Sequence, residues 1–504
     1  MPDLSAAIKI IVSGARGAGG AAATGSGIYP FVSPVAYGMQ VNNAAAENAN
    51  LAAWNECRAA NKLIIMPLGT IWMPTTFKID TPYSTVLFSS RSTGYGDGTG
   101  TRVISSDTTK PAMLIGSELA PVGGPNNFPR NITVINPCAG FSVAHGSAIG
   151  VAIDDLAVAI KMAYLLEGYV EYPWAHEAPV GFKFHGLVGT DIKRPKAFRS
   201  RTLSATGKFY GAYFKGVPPV LAGGNASLHI DSLVVQSPSG VAFNDECAVV
   251  CDGAISDVRI DRLETSAIKN VIRINGTGAN GEPGSNINFE IKELIGDSFS
   301  GIGVDIQNIA QNGHIKIAGN CMSAAGAQHG IFIKDNFGLI DLDLTIHGYG
   351  AAALNNLGQT TGTMTGLRVE NTYGLAGNVN LIDCPNPVEL DVFHNADLRI
   401  TVRNPNVVSN PYQAAIFYTQ GHNSSIKARV TGINNAFPQG IYGPANDCSD
   451  LTFSGLESIA SNCISGGNTS KIQINGTPIA QQGIYTSAGV INPEGTITLI
   501  GNIG

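Results

Sequence analysis

The chain has 504 residues, 44% hydrophobic and only 13% charged, with 61 glycines and a formal net charge of −6. That apolar share over this length excludes disorder and is ample for an extended core, while the glycine content suits a chain of many tight turns. No basic run or stripe marks a nucleic-acid partner, and no 18-residue apolar segment marks a membrane span.

Taken from the start, residues 1–30 are small and polar. Gly14-Ala-Arg-Gly-Ala-Gly-Gly20 and Ala21-Ala-Ala-Thr-Gly-Ser-Gly27 have little to bury and read as a flexible or partner-ordered arm. The first apolar run is short, carries Lys9 and follows no basic region, so no secretory signal is expected. Residues 31–60 hold a leading segment and then, from Asn43 as N-cap, an alanine-rich helix with Leu51, Trp54 and Cys57 three apart on one face. That helix is expected to cap the open end of whatever β structure follows.

Lys62-Leu-Ile-Ile-Met-Pro-Leu-Gly-Thr70 is a strand leading into a turn, and Gly94-Tyr-Gly-Asp-Gly-Thr-Gly-Thr-Arg-Val-Ile104 follows it. The order Val32-Ser-Pro-Val-Ala-Tyr-Gly38, alanine-rich helix, strand-Pro-x-Gly-Thr, Gly-Asp-Gly-x-Gly-Thr-x-Val-Ile resembles the pectate-lyase-like β-helix of bacteriophage tailspikes over residues 32–104. Asn42 and Asn43 stand where that pattern carries paired acidic residues. The resemblance implies a homotrimeric virion protein, assembled in host cytoplasm without a signal peptide. It also implies an arm at 1–30 that joins the phage tail or an adaptor protein, and a β-helix surface that binds and often cleaves a bacterial surface polysaccharide, capsule or O-antigen. Fold does not fix chemistry, so hydrolase, lyase and non-catalytic binder stay open at this point.

Between Tyr164 and Phe214 lie eleven of the 37 aromatic residues. The regular repeat is blurred there, so an excursion from the scaffold is expected at about 160–215. Its rings, Tyr169, Tyr172, Trp174 and Tyr210 among them, offer flat faces for sugar stacking, with Glu167, Glu171 and Glu177 as second-choice catalytic groups. Packing of the excursion onto the scaffold or into a subunit interface accounts for the same rings equally simply.

From residue 228 onward a pattern returns ten times, anchored at Leu228, Val258, Ile287, Ile315, Leu342, Leu367, Leu398, Ile426, Leu451, Ile472 and Ile497. The spacing is 21 to 31 residues, about 27 on average, and each anchor opens a period-two strand such as Val258-Arg-Ile-Asp261. A second strand, often led by glycine as in Gly330-Ile-Phe-Ile333, falls between anchors and leaves no room for a regular helix. The expected fold is all-β, a right-handed parallel β-helix over 61–470 with an N-terminal capping helix, and terminal coils over 471–504.

Aligned on these anchors, His229, Arg259, Asn288, Lys316, Asp343, Arg368, Arg399 and Lys427 form one outward column. Asp231, Asp261 and Glu290 begin another. Carboxylates one rung apart would lie on the order of 5 Å from each other, near the spacing of a retaining glycosidase, with Arg259 as a substrate-binding neighbour. An ordinary surface ion-pair lattice is the competing reading of the same column. The eight cysteines are scattered singly, and the close pair Cys247 and Cys251 lacks a second pair, so buried thiols are expected and neither metal nor cofactor.

Overall fold

The computed structural model describes residues 31–89, 100–141, 157–199, 207–216, 226–237, 243–276, 287–324, 326–348, 364–403 and 414–431, together with strand backbone at 439–443, 448–458, 462–466, 470–475 and 485–486. The arm at 1–30, and its attachment role, lie outside the described residues.

Every strand pairing is parallel, and each strand joins one two or three elements further along the chain, so the backbone coils into a parallel β-helix. The first coil is made of Leu63–Met66, Gly69–Met73 and Phe77–Ile79, which pair with Thr85–Phe88, Thr101–Ser105 and Met113–Gly116 of the second. Those three strands define three faces, here called the first, second and third, that persist to the last described coil. In later coils the first two faces fuse into one bent strand, as in Ile255–Ser266 and Ile287–Phe299, with two consecutive outward residues at the corner.

Inward residues stack rung upon rung. Ile192, Ile230, Ile260, Ile291, Ile317 and Leu342 are in direct register and fully buried. On the third face Phe184, Phe214, Cys251, Ile274, Ile306, Ile333, Val369, Leu390 and Tyr418 form the matching ladder. Each such side chain contributes about 1.5–3 kcal/mol by leaving water.

The open N-terminal end is closed by the helix Glu47–Ala60. Asn43 caps the 3₁₀ turn Ala44–Ala46 ahead of it by accepting from Ala45 N at 3.1 Å. Trp54, 1% exposed, stacks on Phe77 at 4.1 Å between ring centroids and donates its indole N–H to Lys78 O at 2.8 Å. Cys57 is buried beside it and Leu51 packs on the rim of the same core. All six described cysteines are free and buried. No helix among the described residues is long and apolar enough to cross a membrane.

Two expectations need correction. First, Leu228 does face Val258, but Val258 faces Phe289 rather than Ile287, which pairs with Ile255 across a bulge. Similarly Ile315 pairs with Ile340, and Leu367 lies on the third face opposite Ile331. Hydropathy cannot tell which apolar residue of a period-two strand opposes which, and a bulge shifts the answer by a residue. Second, the aromatic-rich segment runs as coil: Val158–Leu166, Tyr169–Glu171, Trp174–His176, Val180–Lys193, Lys196–Phe198 and Lys208–Lys215 all pair in sequence with their neighbours. Rings there replace aliphatic residues in the stacks, with Phe182, Phe184, Phe209 and Phe214 buried, which is why the apolar period looked blurred.

Candidate functional site

On the first face, true register gives the outward column Asp191, His229, Arg259, Glu290, Lys316 and Asp341. Asp231 and Asp261 stand in the adjacent column, level with each other, and Glu290 does not continue that column. Asp261 accepts from His229 Nε2 at 2.8 Å and Arg259 Nε at 2.9 Å, and Lys292 Nζ lies 3.3 Å away. Although burial pushes its carboxyl up, the His229 and Arg259 contacts outweigh that and hold it below the usual value. Glu290 lies 3.7 Å from Lys316 and 4.0 Å from Arg259, and Asp231 accepts from the Arg194 backbone N–H. This column is a lattice of alternating charge.

Glu167, Glu171 and Glu177 are spread around one coil and do not meet. Glu167 is exposed at the corner after the third face, Glu171 ends a first-face strand, and Glu177 is buried at the corner before the next third-face strand. The aromatic candidates are likewise distributed. Tyr169 is outward on the first face, Tyr172 receives the Arg194 guanidinium at 5.4 Å and Trp174 the Lys196 ammonium at 5.1 Å, whereas Tyr210 lies on the third face.

The third face carries acids whose carboxyls burial pushes up, which alignment of the repeats on their anchors does not bring out. One outward column there reads Lys161, Lys183, Tyr213, Val250, Arg273, Asp305, Phe332, Arg368, Glu389 and Phe417 in unbroken register. A glycine column beside it, including Gly181, Gly211, Gly303, Gly330 and Gly366, lets the strands pass closely. A methyl group on Gly303 would come within 2.5 Å of Gly330 O, and one on Gly330 within 2.6 Å of Gly366 O.

Two clusters lie along this face. In the first, Arg273 donates to Asp245 at 3.1 Å, and the Tyr210 hydroxyl donates to the same carboxylate. Burial raises Asp252, partly offset by the Tyr213 hydroxyl, and raises Asp305, partly offset by Gln307. Asp305 is only 6% exposed although it faces outward.

In the second cluster Arg368 touches two carboxylates at once, Glu370 Oε1 at 2.7 Å and Glu389 Oε2 at 3.4 Å. Burial pushes Glu389 up, with Glu370 adding to the rise and Arg368 only partly offsetting it. Glu370 is drawn the other way. Desolvation alone would raise it, but hydrogen bonds from Arg368 and Lys334, the latter at 3.2 Å, carry it below its usual value. His329 stacks on Phe332 at 5.2 Å, is held neutral by burial, and its buried Nδ1 has no hydrogen-bond partner among the described residues. Neighbouring carboxyls with opposed shifts are the arrangement that acid–base chemistry requires. Sequence offered one signal for this pair, the Arg368-Val-Glu370 alternation, which anchoring on Leu367 assigned to the wrong face. Among the described residues no group of three His, Cys, Asp or Glu side chains is placed to hold a metal.

No protein-family profile matches the chain, and no curated protein matches it in sequence. Solved structures of similar shape include bacteriophage CBA120 tailspike protein 3, with a TM-score of 0.43, 10% identity, and 97% of this chain and 69% of that one covered. A tailspike mutant of E. coli bacteriophage HK620 scores 0.41 at 10% identity, covering 88% of this chain and 78% of that one. The Azotobacter vinelandii mannuronan C-5 epimerase AlgE6 A-module scores 0.37 at 11% identity, with 91% and 97% covered.

Proposed function

We propose that this chain is a phage spike that binds a bacterial surface polysaccharide along its third face and cleaves it by endo-glycoside hydrolysis with Glu389 and Glu370. The carrying observation is the opposed pair of carboxyls on one guanidinium. Glu389, whose carboxyl burial pushes up, is suited to protonate the glycosidic oxygen as the bond breaks. Glu370, kept ionised, supplies the negative charge that faces the oxocarbenium-like carbon or takes the proton of the attacking water. Phe332 and Phe417 flank Arg368 and Glu389 on the same outward column. The sequence resemblance over residues 32–104 supports the virion setting and the homotrimer, for which a solution mass of three chains is the check. A nucleic-acid or membrane partner finds no support in the charge or the helix content.

The test is to incubate purified protein with host capsule or lipopolysaccharide and follow chain length. Glu389→Gln and Glu370→Gln should each lose at least ~10²-fold in cleavage while retaining binding, the lower end of what a positioned acid or base contributes. An unsaturated, ultraviolet-absorbing product would make the reaction a lyase instead. A second reading, a non-catalytic receptor-binding spike, is favoured by one observation. Glu370 is engaged by both Arg368 and Lys334, as in a structural ion-pair lattice. Unshortened chains bound by the wild-type protein would establish it.

A further inference from the structure

At the N-terminal end of the same face, cations gather without matching acids. Lys161 and Lys183 stand directly opposite each other on adjacent strands, an arrangement that ordinarily destabilises a sheet. The next coil adds Lys215, two residues beyond Tyr213, whose ring faces Lys183 Nζ at 5.5 Å. His185, two residues past Lys183, approaches the Tyr164 hydroxyl at 3.4 Å. All four basic groups are half-buried. Among the described residues no carboxylate lies within 4.0 Å of the Lys161, Lys183 or Lys215 ammonium. The neighbouring Glu118 is taken by Lys78 at 2.9 Å, and Asp252, opposite Lys215, is bonded by the Tyr213 hydroxyl.

We propose that Lys161, Lys183 and Lys215 form an anion subsite, so that the polysaccharide read by the third face is acidic, its carboxylate or phosphate groups lying over this lysine cluster. In a chain of net charge −6, three unneutralised ammonium groups on successive rungs are costly unless an anion completes them. Burial, and after it repulsion from neighbouring lysines, weakens their hold on a proton. Burial, then Lys215, Lys161 and Lys208, pull Lys183 down to about 8, and burial with Lys215 and Lys78 lowers Lys161 despite Glu118. A bound anion would offset the repulsion among these cations. Lys161 and Lys183 share their outward column with Phe332, Arg368 and Glu389, so one extended chain can cross both, each rung advancing about 4.8 Å along the axis.

The inference rests on the polysaccharide reading but is tested apart from cleavage, in the Glu389→Gln background. Oligogalacturonate serves as acidic probe, maltohexaose as neutral probe and inorganic phosphate as the anion alone. Reductive methylation read by mass spectrometry reports the lysines, and calorimetry reports affinity. Oligogalacturonate and phosphate should protect Lys161 and Lys183 whereas maltohexaose should not. Lys183→Gln should weaken oligogalacturonate by ~10-fold or more, the scale of a hydrogen bond to a charged group, with Lys183→Arg restoring most of it. Unprotected lysines with both anions, equal binding of acidic and neutral probes, or tighter binding of single-stranded DNA than of oligogalacturonate would each overturn it. Protection by anions with no cleavage of any host polysaccharide by the wild type would sink the hydrolase alone. Cleavage of a neutral polysaccharide with unprotected lysines would sink the subsite alone.

Discussion

Glu290 stands directly opposite Arg259 on the neighbouring coil, its Oε2 4.0 Å from Arg259 Nε. That single step of register turns a stack of acids into an alternation of acids and bases. It leaves the candidate acids Glu370 and Glu389 on another side of the tube, where one guanidinium touches both and their carboxyls are drawn in opposite directions.

Asp261→Asn should therefore leave polysaccharide cleavage intact and cost no more than about 1 kcal/mol of stability, the range of exposed ion pairs. Because the folded carboxyl sits below its unfolded value, its contribution is present above the ordinary carboxylate range and disappears as pH falls through the folded value. Chemical denaturation at neutral and at strongly acidic pH measures both. Loss of cleavage in this variant would return the reaction to Asp231, Asp261 and Glu290.

The pH profile of cleavage should be bell-shaped. Its acid limb belongs to Glu370, which must be ionised and is held low, and its alkaline limb to Glu389, which must be protonated and is held high. Arg368 favours the charged form of both, so Arg368→Gln should shift both limbs to higher pH as well as reduce the rate. A profile whose limbs stay where they were would show that the guanidinium does not govern the pair.

Replacing Trp54 by Ala should cost about 3–5 kcal/mol, because a fully buried ring stacked on Phe77 and bonded to Lys78 O leaves a cavity at the tube's end. Hydrogen exchange should quicken first in Leu63–Met66, Gly69–Met73 and Phe77–Ile79. Uniform loosening along the whole tube would mean the helix does more than close one end.

Acid should also loosen the coils through histidine. Burial, reinforced by Arg102 for His176 and by Lys215, Lys161 and Lys183 for His185, depresses each to about 4. The unfolded chain thus takes up protons first, so stability should fall as pH drops from about 6.5 toward 4 and should be flat with respect to these groups above 6.5. The double variant His176→Gln, His185→Gln should show a shallower decline in urea midpoint over that window.

The helix and the coil architecture were legible because they rest on local rules, an alanine-rich run, period-two strands and a spacing too short for helices, although Asn43 caps the 3₁₀ turn Ala44–Ala46 and not the helix itself. Which residue faces which was not legible, because Ile255, Val258, Ile287 and Phe289 are equally apolar and only a bulge decides among them. The Glu370–Glu389 pair joins residues on different coils, and the burial and hydrogen bonds that separate their proton affinities exist only after the coil has closed. Leu367 lies on the third face for the same reason, and Arg368 beside it does too.

Alternation along each strand has a consequence for inheritance. The inward half of every rung holds the register, as the run from Ile192 to Leu342 illustrates, while the outward half only needs to tolerate water or a ligand. Changes on the outside therefore leave the template untouched. A lineage can redraw the outer surface, letter by letter, on a page whose ruling never moves.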